Sequence, residues 1–204
     1  MQLVLNRIME DFYITIQLGT ILDIHQFIFG MFSLDKEGVF LKCFYVNELN
    51  SKTQYEQFIE YMLLHSEYFS LIYFRYSANE KMKKRTRTIH DALKKYKIKS
   101  QFSNEWPGTI SFDNNHYYKF VLYRSVIDAK TVLCQIDNLF EWDYPSAPMD
   151  LCFYKDGFCW FSITAHEHDA CLYSDDKNTI EDLTEIGVNL EYARETEDLF
   201  WLND

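Results

Sequence analysis

The stretch KDGFCWFSITAHEHDACLYSDD, residues 155–176, decides the fold. Gly157 follows Lys155 and Asp156, and glycine readily adopts the positive φ that a tight hairpin turn requires. Residues 151–154 before the turn and 158–164 after it are rich in aromatic and β-branched side chains, which favour strands. Residues 170–173 are consistent with a third strand. We therefore interpret the stretch as a β-hairpin with one added strand, rather than as a catalytic centre or a metal site.

Further strands are predicted upstream of this hairpin. They are short runs of aromatic and β-branched residues at 39–46, 69–76, 109–112 and 117–123. Trp106, Pro107 and Gly108 predict a break before the third of them.

Helices are predicted between these strands by capping signals followed by apolar residues at helical spacing. Thr53 with Glu56, and Ser77 with Glu80, have the spacing of a capping box. The inward residues predicted for these two helices are Tyr55, Phe58, Ile59, Met62 and Leu63, and Met82, Thr86, Ile89, Leu93 and Tyr96.

Two more helices are predicted in the second half of the chain. One is capped by residues 125–128, and the other starts at Ser174 or Asp175 and ends before Gly187, which suits a C-terminal cap. The inward residues predicted for them are Val126, Ala129, Leu133, Ile136 and Phe140, and Ile180, Leu183 and Ile186.

The alternation of strands and helices predicts an α+β fold, with about four amphipathic helices packed on an antiparallel or mixed β-sheet. With 204 residues, of which 48% are hydrophobic, the chain is predicted to form a single domain over 1–204, with a weak subdomain boundary near 143–149. FSLDKEGVFLKCFYV, residues 32–46, resembles CFYKDGFCWFSITA, residues 152–165, and each is followed by a helix. The sequence therefore allows two similar hairpin–helix halves.

The N-terminal segment and the cysteines indicate the compartment. Glu10 and Asp11 stand where a signal peptide would have a long apolar run, and no window approaches the roughly 18 uninterrupted apolar residues of a membrane span. The five cysteines are an odd number with irregular spacing, which favours a reducing compartment. We expect a cytoplasmic protein without a membrane segment.

Charge is distributed unevenly along the chain, whose net charge is −11. A basic segment holds Lys81, Lys83, Lys84, Arg85, Arg87, Lys94, Lys95, Lys97 and Lys99, opposed by Asp91. An acidic C-terminal segment holds Glu167, Asp169, Asp175, Asp176, Glu181, Asp182, Glu185, Glu191, Glu195, Glu197, Asp198 and Asp204, opposed by Lys177 and Arg194. Such asymmetry bears on partners and association rates rather than on the fold.

The basic segment is predicted to be a helix with Lys83, Lys84, Arg85 and Arg87 pointing mostly outward. Clustered bases on one helix are typical of phosphate contacts, but the sequence pI near 5.0 means that the whole chain repels polyanions. Nucleic acid is therefore disfavoured as a partner. We interpret the helix as a solvated face, or as one that meets the acidic segment of its own chain or of another copy.

His166 and His168 are the weak candidates for a metal site. On an extended chain, residues two apart point to the same side, so both imidazoles could reach one ion with Asp169 or Cys171 nearby. A stable site needs three or four ligands, and the other four histidines form no second cluster. We favour a surface position at the end of a strand, and we predict no metal and no cofactor.

Three cysteines, Cys152, Cys159 and Cys171, lie among aromatic residues in the hairpin region, where core packing is their expected role. A Cys171–His166 pair could support acyl transfer, but the local sequence supplies neither an oxyanion hole nor an orienting partner. The chain has no Gly-rich phosphate loop, no GxSxG and no HExxH.

EWPGT at residues 105–109, SAPMDLCFY at 146–154 and KDGFCWFSITAHE at 155–167 form a pattern that resembles small uncharacterised cytosolic proteins of spore-forming bacteria. Some members of that family carry a sporulation label. The resemblance covers roughly residues 105–176 and implies a bacterial source and an α+β domain. It transfers no catalytic residues.

The leading hypothesis is a non-enzymatic acidic protein, monomeric or homodimeric, that binds and inhibits another, basic protein, as toxin-immunity proteins do. The residues assigned to the binding surface are Asp175, Asp176, Glu181, Asp182 and Glu185. Two alternatives stay open. One is a metal- or cysteine-dependent enzyme centred on His166, His168 and Cys171, and the other is a phage-type regulator or anti-defence protein.

Overall fold

The structure is a computed structural model that describes residues 40–74, 83–112 and 118–202. Within them, ten strands and four α-helices follow one another in an α+β arrangement, which confirms the predicted fold class. The strands are β1 (Leu41–Val46), β2 (Tyr68–Phe74), β3 (Lys97–Phe102), β4 (Glu105–Trp106), β5 (Thr109–Ile110), β6 (Tyr118–Arg124), β7 (Met149–Lys155), β8 (Phe158–Thr164), β9 (Asp169–Tyr173) and β10 (Leu190–Thr196). The α-helices are α1 (Lys52–Leu64), α2 (Lys84–Leu93), α3 (Lys130–Leu133) and α4 (Lys177–Glu185).

Eight of the strands form one sheet in the order β10-β1-β9-β8-β7-β2-β6-β3, and all neighbours run antiparallel. The predicted hairpin is its centre: β7 and β8 pair across the turn at Asp156 and Gly157, and β8 pairs with β9. β7 and β8 are almost wholly buried, because both of their faces are covered.

Two apolar layers cover the two faces of the sheet. The helices bury the larger layer, in which Phe58 of α1 packs edge-on against Phe161 of β8 with ring centroids 5.1 Å apart. The opposite face holds a smaller cluster around Tyr154 and Cys159, covered by Trp106 of the β4–β5 hairpin and by Phe200. The backbone of the C-terminal segment is fixed there, because Cys159 N donates to Phe200 O at 2.8 Å.

Helix α1 confirms the predicted inward residues, since Tyr55, Phe58, Ile59, Met62 and Leu63 are all buried. Its predicted cap at Thr53 was wrong. Ser51 is the N-cap, and its hydroxyl accepts from Gln54 N at 3.2 Å, while Gln54 Oε1 accepts from Asn50 N at 2.6 Å. The sequence signal for the start of α1 is therefore the Ser51-x-x-Gln54 spacing, two residues before the predicted capping box of Thr53 and Glu56.

The third predicted helix is broken into short pieces. A 3₁₀ turn at Ile127–Ala129 leads into α3, and a second 3₁₀ turn at Leu139–Glu141 follows. The break has a physical cause: the Lys52 amine donates to the carbonyls of Cys134 and Ile136, which takes up acceptors at the helix end. Asn138 then starts a new turn by accepting from Leu139 N at 2.7 Å.

Both edges of the sheet, β3 and β10, are strands that the sequence did not predict. Their side chains are largely exposed and many are polar or charged, so neither strand shows the apolar alternation of a half-buried strand. Because β3 begins at Lys97, α2 is shorter than predicted. It ends at Leu93, and a 3₁₀ turn spans Lys94–Tyr96, so Lys97 and Lys99 lie on β3 rather than on the helix. The predicted capping box at Ser77 lies outside the described residues.

The two predicted hairpin–helix halves are not equivalent. β1 is flanked by β10 on one side and by β9 on the other, so its edges leave no place for a hairpin partner like the one that β7 provides for β8. The turn of the first predicted hairpin lies outside the described residues. The predicted weak boundary at 143–149 separates β6 from β7, yet both strands pair with β2 in the same sheet. The prediction of a single domain over 1–204 stays a prediction.

Candidate partner-binding surface

The five acidic residues assigned to partner binding lie on α4 and at its N-terminus, and all five are exposed. Glu181 and Glu185 are one helical turn apart and share a face. Leu183 and the partly buried Ile180 and Ile186 hold the opposite face of α4 against the core, as predicted. Gly187 follows the helix with φ 89°, a backbone conformation that favours glycine.

Asp176 has a structural role. It is the N-cap of α4: one carboxylate oxygen accepts from Asn178 N at 3.0 Å, and the other accepts from Thr179 N at 3.3 Å and Thr179 Oγ1 at 2.8 Å. These hydrogen bonds, foremost that from the Thr179 hydroxyl, lower the pKa of Asp176. Asp176 therefore belongs to the helix start rather than to a surface left open for a partner.

Asp182 and Glu181 also have contacts within the chain. Asp182 accepts from Tyr61 OH at 3.3 Å, which ties α4 to α1. Glu181 pairs with Lys177 at 3.0 Å, and because both side chains are exposed, this ion pair contributes at most about 1 kcal/mol and is easily exchanged. Of the five predicted residues, Asp175, Glu181 and Glu185 are thus the ones that a partner can reach at little cost.

β10 extends this surface in a way that sequence reasoning missed. Gly187, Val188 and Asn189 carry the chain from α4 directly into the edge strand, where Glu191 and Glu195 are exposed. We refer to the exposed acids Asp175, Glu181, Glu185, Glu191 and Glu195 together as the α4–β10 acidic surface. Glu191 lies opposite Tyr45 and Glu195 opposite Lys42 on β1, so the side chains of these two β10 residues leave opposite faces of the sheet. The signal that could have found β10 is its three charged side chains, Glu191, Arg194 and Glu195, because charges on a strand are typical of a protected edge.

Few bases oppose the α4–β10 acidic surface. In the described part of the chain, the salt bridge between Lys177 and Glu181 is the one that involves a member of it. Lys42 lies opposite Glu195 in the β1–β10 register, and Arg194 lies opposite Cys43. The surface thus keeps most of its negative charge available.

The basic helix α2 lies towards the other edge of the sheet. Lys83, Lys84 and Arg87 are exposed, as predicted. Arg85 is occupied within the chain, because its guanidinium donates to Gln135 O and lies 3.7 Å from a carboxylate oxygen of Glu141. The buried face of α2 consists of Thr86, Ile89 and Leu93, as predicted.

The acidic and basic segments of the same chain come together at one small cavity, which Lys99 lines with Phe200, Trp201 and Leu202. No salt bridge among the described residues joins them. β10 and β3 are the two ends of the eight-stranded sheet, and seven interstrand spacings of about 4.8 Å place these edges roughly 34 Å apart. Within the described residues, no salt bridge therefore ties α2 to the chain's own acidic segment, and a contact between the two stays a prediction.

His166 and His168 do not lie on an extended strand. His166 lies in a 3₁₀ turn, Ala165–Glu167, that follows β8, and His168 comes directly after this turn with a left-handed backbone, φ 56°. The same-side argument for a shared metal therefore fails, while the alternative of a surface position at a strand end is confirmed. Within the described ranges, no group of three or more His, Cys, Asp or Glu residues is arranged to hold a metal ion.

Cys171 contacts Cys43 and Asp169 rather than His166 or His168. Its thiol shares a hydrogen bond with Cys43 and lies 4.0 Å from a carboxylate oxygen of Asp169. His166 instead faces Glu167, with its Nε2 at 3.7 Å from the carboxylate. A Cys171–His166 catalytic pair thus has no support from the geometry, and the predicted core role of Cys152 and Cys159 is confirmed by their burial.

A buried carboxylate at the start of β7 was missed by sequence reasoning. Asp150 is 1% exposed, and its two oxygens accept from Trp106 Nε1 at 2.8 Å and from Ala165 N at 3.0 Å. It thereby joins the β4–β5 hairpin to the turn after β8. At the same junction, Gly108 has φ 77°, and a Cβ there would lie 2.6 Å from Thr164 Oγ1, so only glycine fits.

Burial raises the pKa of Asp150 above its ordinary value of 3.8. Between pH 3.8 and the raised folded-state pKa, the folded protein holds a proton that the unfolded chain has released, so this group's contribution to stability falls as the pH rises. We expect Asp150→Asn to remove that slope. Urea unfolding of both proteins across this window measures it, and the difference between them cancels the opposite slopes of Asp91, Asp137 and Asp176, whose pKa values are lowered. Parallel curves for the two proteins would contradict the assignment.

No helix in residues 40–74, 83–112 or 118–202 has the length and apolar character needed to cross a bilayer. Comparisons of the chain with protein-family models, with curated proteins and with solved structures find no match. The resemblance to small proteins of spore-forming bacteria therefore stays a prediction.

Proposed function

We propose that this protein acts in the cytoplasm by binding a basic partner protein through the α4–β10 acidic surface, and that it inhibits that partner. The observation that carries the proposal is the exposure of Glu181 and Glu185 on one face of α4, with Asp175 just before the helix and further exposed acids on β10, the next strand. An immunity protein that neutralises a basic bacterial toxin is the class of protein that this surface fits best.

The physical basis is electrostatic complementarity. A single-sign surface speeds the encounter with an oppositely charged partner and fixes its orientation, and it repels acidic proteins. Its effect should weaken with salt, because the screening length falls from about 8 Å at 0.15 M ionic strength to about 3 Å at 1 M. Helix α4 is firmly held by the Asp176 cap and the Asp182–Tyr61 hydrogen bond, so its carboxylates are presented on a preorganised element.

The enzyme alternative gains no support from the described geometry, since His166, His168 and Cys171 do not converge. A phage-type regulator would use the same binding chemistry and differ in its target, and no observation favours it over an immunity protein.

The proposal is tested by reversing charge on the surface while leaving the structural acids in place. We expect Glu181→Lys with Glu185→Lys to weaken capture of a basic partner from a lysate of the source cells by tenfold or more, which is about 1.4 kcal/mol. The matched control is Glu67→Lys with Glu105→Lys, which changes the net charge equally at exposed sites outside the surface. Tagged proteins are eluted in rising salt and the captured proteins are quantified by mass spectrometry.

Each outcome bears directly on the proposal. Support would be one stoichiometric basic protein that the wild type and the control retain, that the α4 variant loses, and whose own activity falls when the wild type is added. Equal capture by all three proteins would refute the assignment of the surface. Capture of nucleic acid, lost on reversal of Lys83, Lys84 and Arg87, would replace the proposal with a role for α2.

A further inference from the structure

Two thiols that are distant in sequence lie side by side on the face of the sheet opposite the helices. Cys43 is on β1 and Cys171 is on β9. The register pairs Cys43 with Tyr173 and Tyr45 with Cys171, so the two cysteines are diagonal neighbours on one face of adjacent strands. Their thiols share a hydrogen bond. This contact is independent of the α4–β10 acidic surface.

The two sulfurs differ in access and in charge. Cys43 is 1% exposed, whereas Cys171 is half-buried and reaches solvent. The hydrogen bond from Cys171, helped by the Arg194 charge, lowers the pKa of Cys43. The same hydrogen bond, together with burial, raises the pKa of Cys171. The other ionisable groups that face the pair are Asp169 and Tyr173. Of the two thiols, Cys43 thus releases its proton more readily than Cys171 does.

We propose that Cys43 and Cys171 form an oxidation site, at which a small peroxide converts the two thiols into a reversible disulfide that links β1 to β9.

The reaction balances with peroxide as the oxidant. The Cys171 sulfur attacks one oxygen of hydrogen peroxide as its proton passes to the Cys43 thiolate; an S–O bond forms, the O–O bond breaks, and hydroxide leaves. The Cys43 sulfur then attacks the Cys171 sulfenic acid; the S–S bond forms, the S–O bond breaks, and water leaves with the Cys43 proton. Two sulfurs are oxidised, and one peroxide is reduced to hydroxide and water.

Closure of the bond requires the strands to adjust. Diagonal neighbours start with Cα atoms roughly 7–8 Å apart. Disulfides usually need about 4.4–6.8 Å. The backbone already departs from regular pairing at this point, because the register of β1 with β10 is irregular between Cys43 and Phe44. A bond formed with such an adjustment should be readily reduced by a dithiol.

The chain contains internal controls for this site. Cys152 and Cys159 also share a hydrogen bond, but they are 0% and 1% exposed, so neither sulfur can reach the oxidant. Cys134 is half-buried, and burial raises its pKa to about 11. The groups that act on its pKa are Glu56, Lys52, Lys130 and Glu60 rather than a second thiol, so no neighbouring cysteine can accept its proton or resolve its oxidised sulfur.

The test uses the reduced full-length protein, treated with excess hydrogen peroxide and quenched, after which free thiols are alkylated and peptides are mapped by mass spectrometry. We expect the wild type to lose two of its five free thiols as a Cys43–Cys171 bridge that dithiothreitol reverses. Cys171→Ser should retain all of its remaining thiols, and Cys134→Ser should form the bridge within twofold of the wild-type rate. Peptide mapping of the wild type identifies the Cys43–Cys171 bridge directly, so the proposal can be tested even if a variant folds poorly.

Several outcomes would overturn the proposal. These are a bridge between Cys152 and Cys159, a bridge between two chains, oxygen addition at Cys171 without a bridge, or five thiols that stay free. Cys43→Ser provides a second variant, in which Cys171 should stay reduced because both the acceptor of its proton and its resolving thiol are gone.

Discussion

Replacing Phe161 with alanine is expected to lower the free energy of unfolding by about 4 kcal/mol. Phe161 is 0% exposed and lies on β8, in the middle of the sheet. It pairs with Phe153 on one side and with Leu172 on the other, and its ring meets Phe58 of α1. Truncation removes the apolar burial of the ring and leaves a cavity between the sheet and α1, which the backbone of a central strand cannot close.

The measurement is equilibrium urea unfolding of the wild type and of Phe161→Ala, followed by circular dichroism and by fluorescence. The matched control is Phe112→Ala, because Phe112 is 92% exposed and its truncation should change stability by no more than about 0.5 kcal/mol. Since small domains are stable by only about 5–15 kcal/mol, Phe161→Ala should unfold at a much lower urea concentration. Similar losses for the two variants would show that the β7–β8–β9 unit is not the centre of the core.

Replacing Asp150 with alanine is expected to cost about 3 kcal/mol. Two buried donors, Trp106 Nε1 and Ala165 N, would lose their acceptor, and each unsatisfied buried group costs roughly 1–3 kcal/mol. A smaller part of the loss comes from the backbone, because Asp150 has φ 53°, a conformation that Asp tolerates better than Ala does. Relief of the buried carboxylate offsets some of the loss.

Asp156 provides the control for the backbone part. It has φ 52°, nearly the same as Asp150, but its side chain is exposed in the β7–β8 turn. We expect Asp156→Ala to cost about 1 kcal/mol, so the excess loss in Asp150→Ala reports the two buried hydrogen bonds. The fluorescence of Trp106 should also change only in the Asp150 variant. Equal losses for the two variants would mean that the Asp150 carboxylate contributes nothing beyond its backbone conformation.

The elements that were predicted correctly are those whose signal is local or strongly apolar. The β7–β8 hairpin follows from Gly157 and its aromatic flanks, and α1 follows from its apolar stripe. The elements that were predicted wrongly or missed are those that a local apolar pattern does not determine. α3 was predicted too long because the donor that ends it is Lys52, more than seventy residues away in sequence. β3 and β10 were missed because an edge strand exposes most of its side chains and so lacks an apolar pattern.

For the acidic surface as well, one part was predictable from the sequence and another part was decided by the tertiary structure. Composition and charge order predicted that α4 is acidic and exposed, because charged side chains on a short amphipathic helix have no place in a core. Which carboxylates remain available was decided by the tertiary structure, which uses Asp176 as a cap and Asp182 as a partner of Tyr61, and which adds Glu191 and Glu195 from β10.

By itself, the sequence determined the α+β class, the central hairpin and the exposed helices, since these depend on neighbours within a turn or two of chain. The tertiary structure alone decided the strand order, the placement of β10 and β3 at opposite edges of the sheet, the contact of Cys43 with Cys171 and the burial of Asp150. Each of these depends on segments tens to more than a hundred residues apart being brought together by β-sheet register and core packing, and no local pattern encodes which distant strand becomes a neighbour.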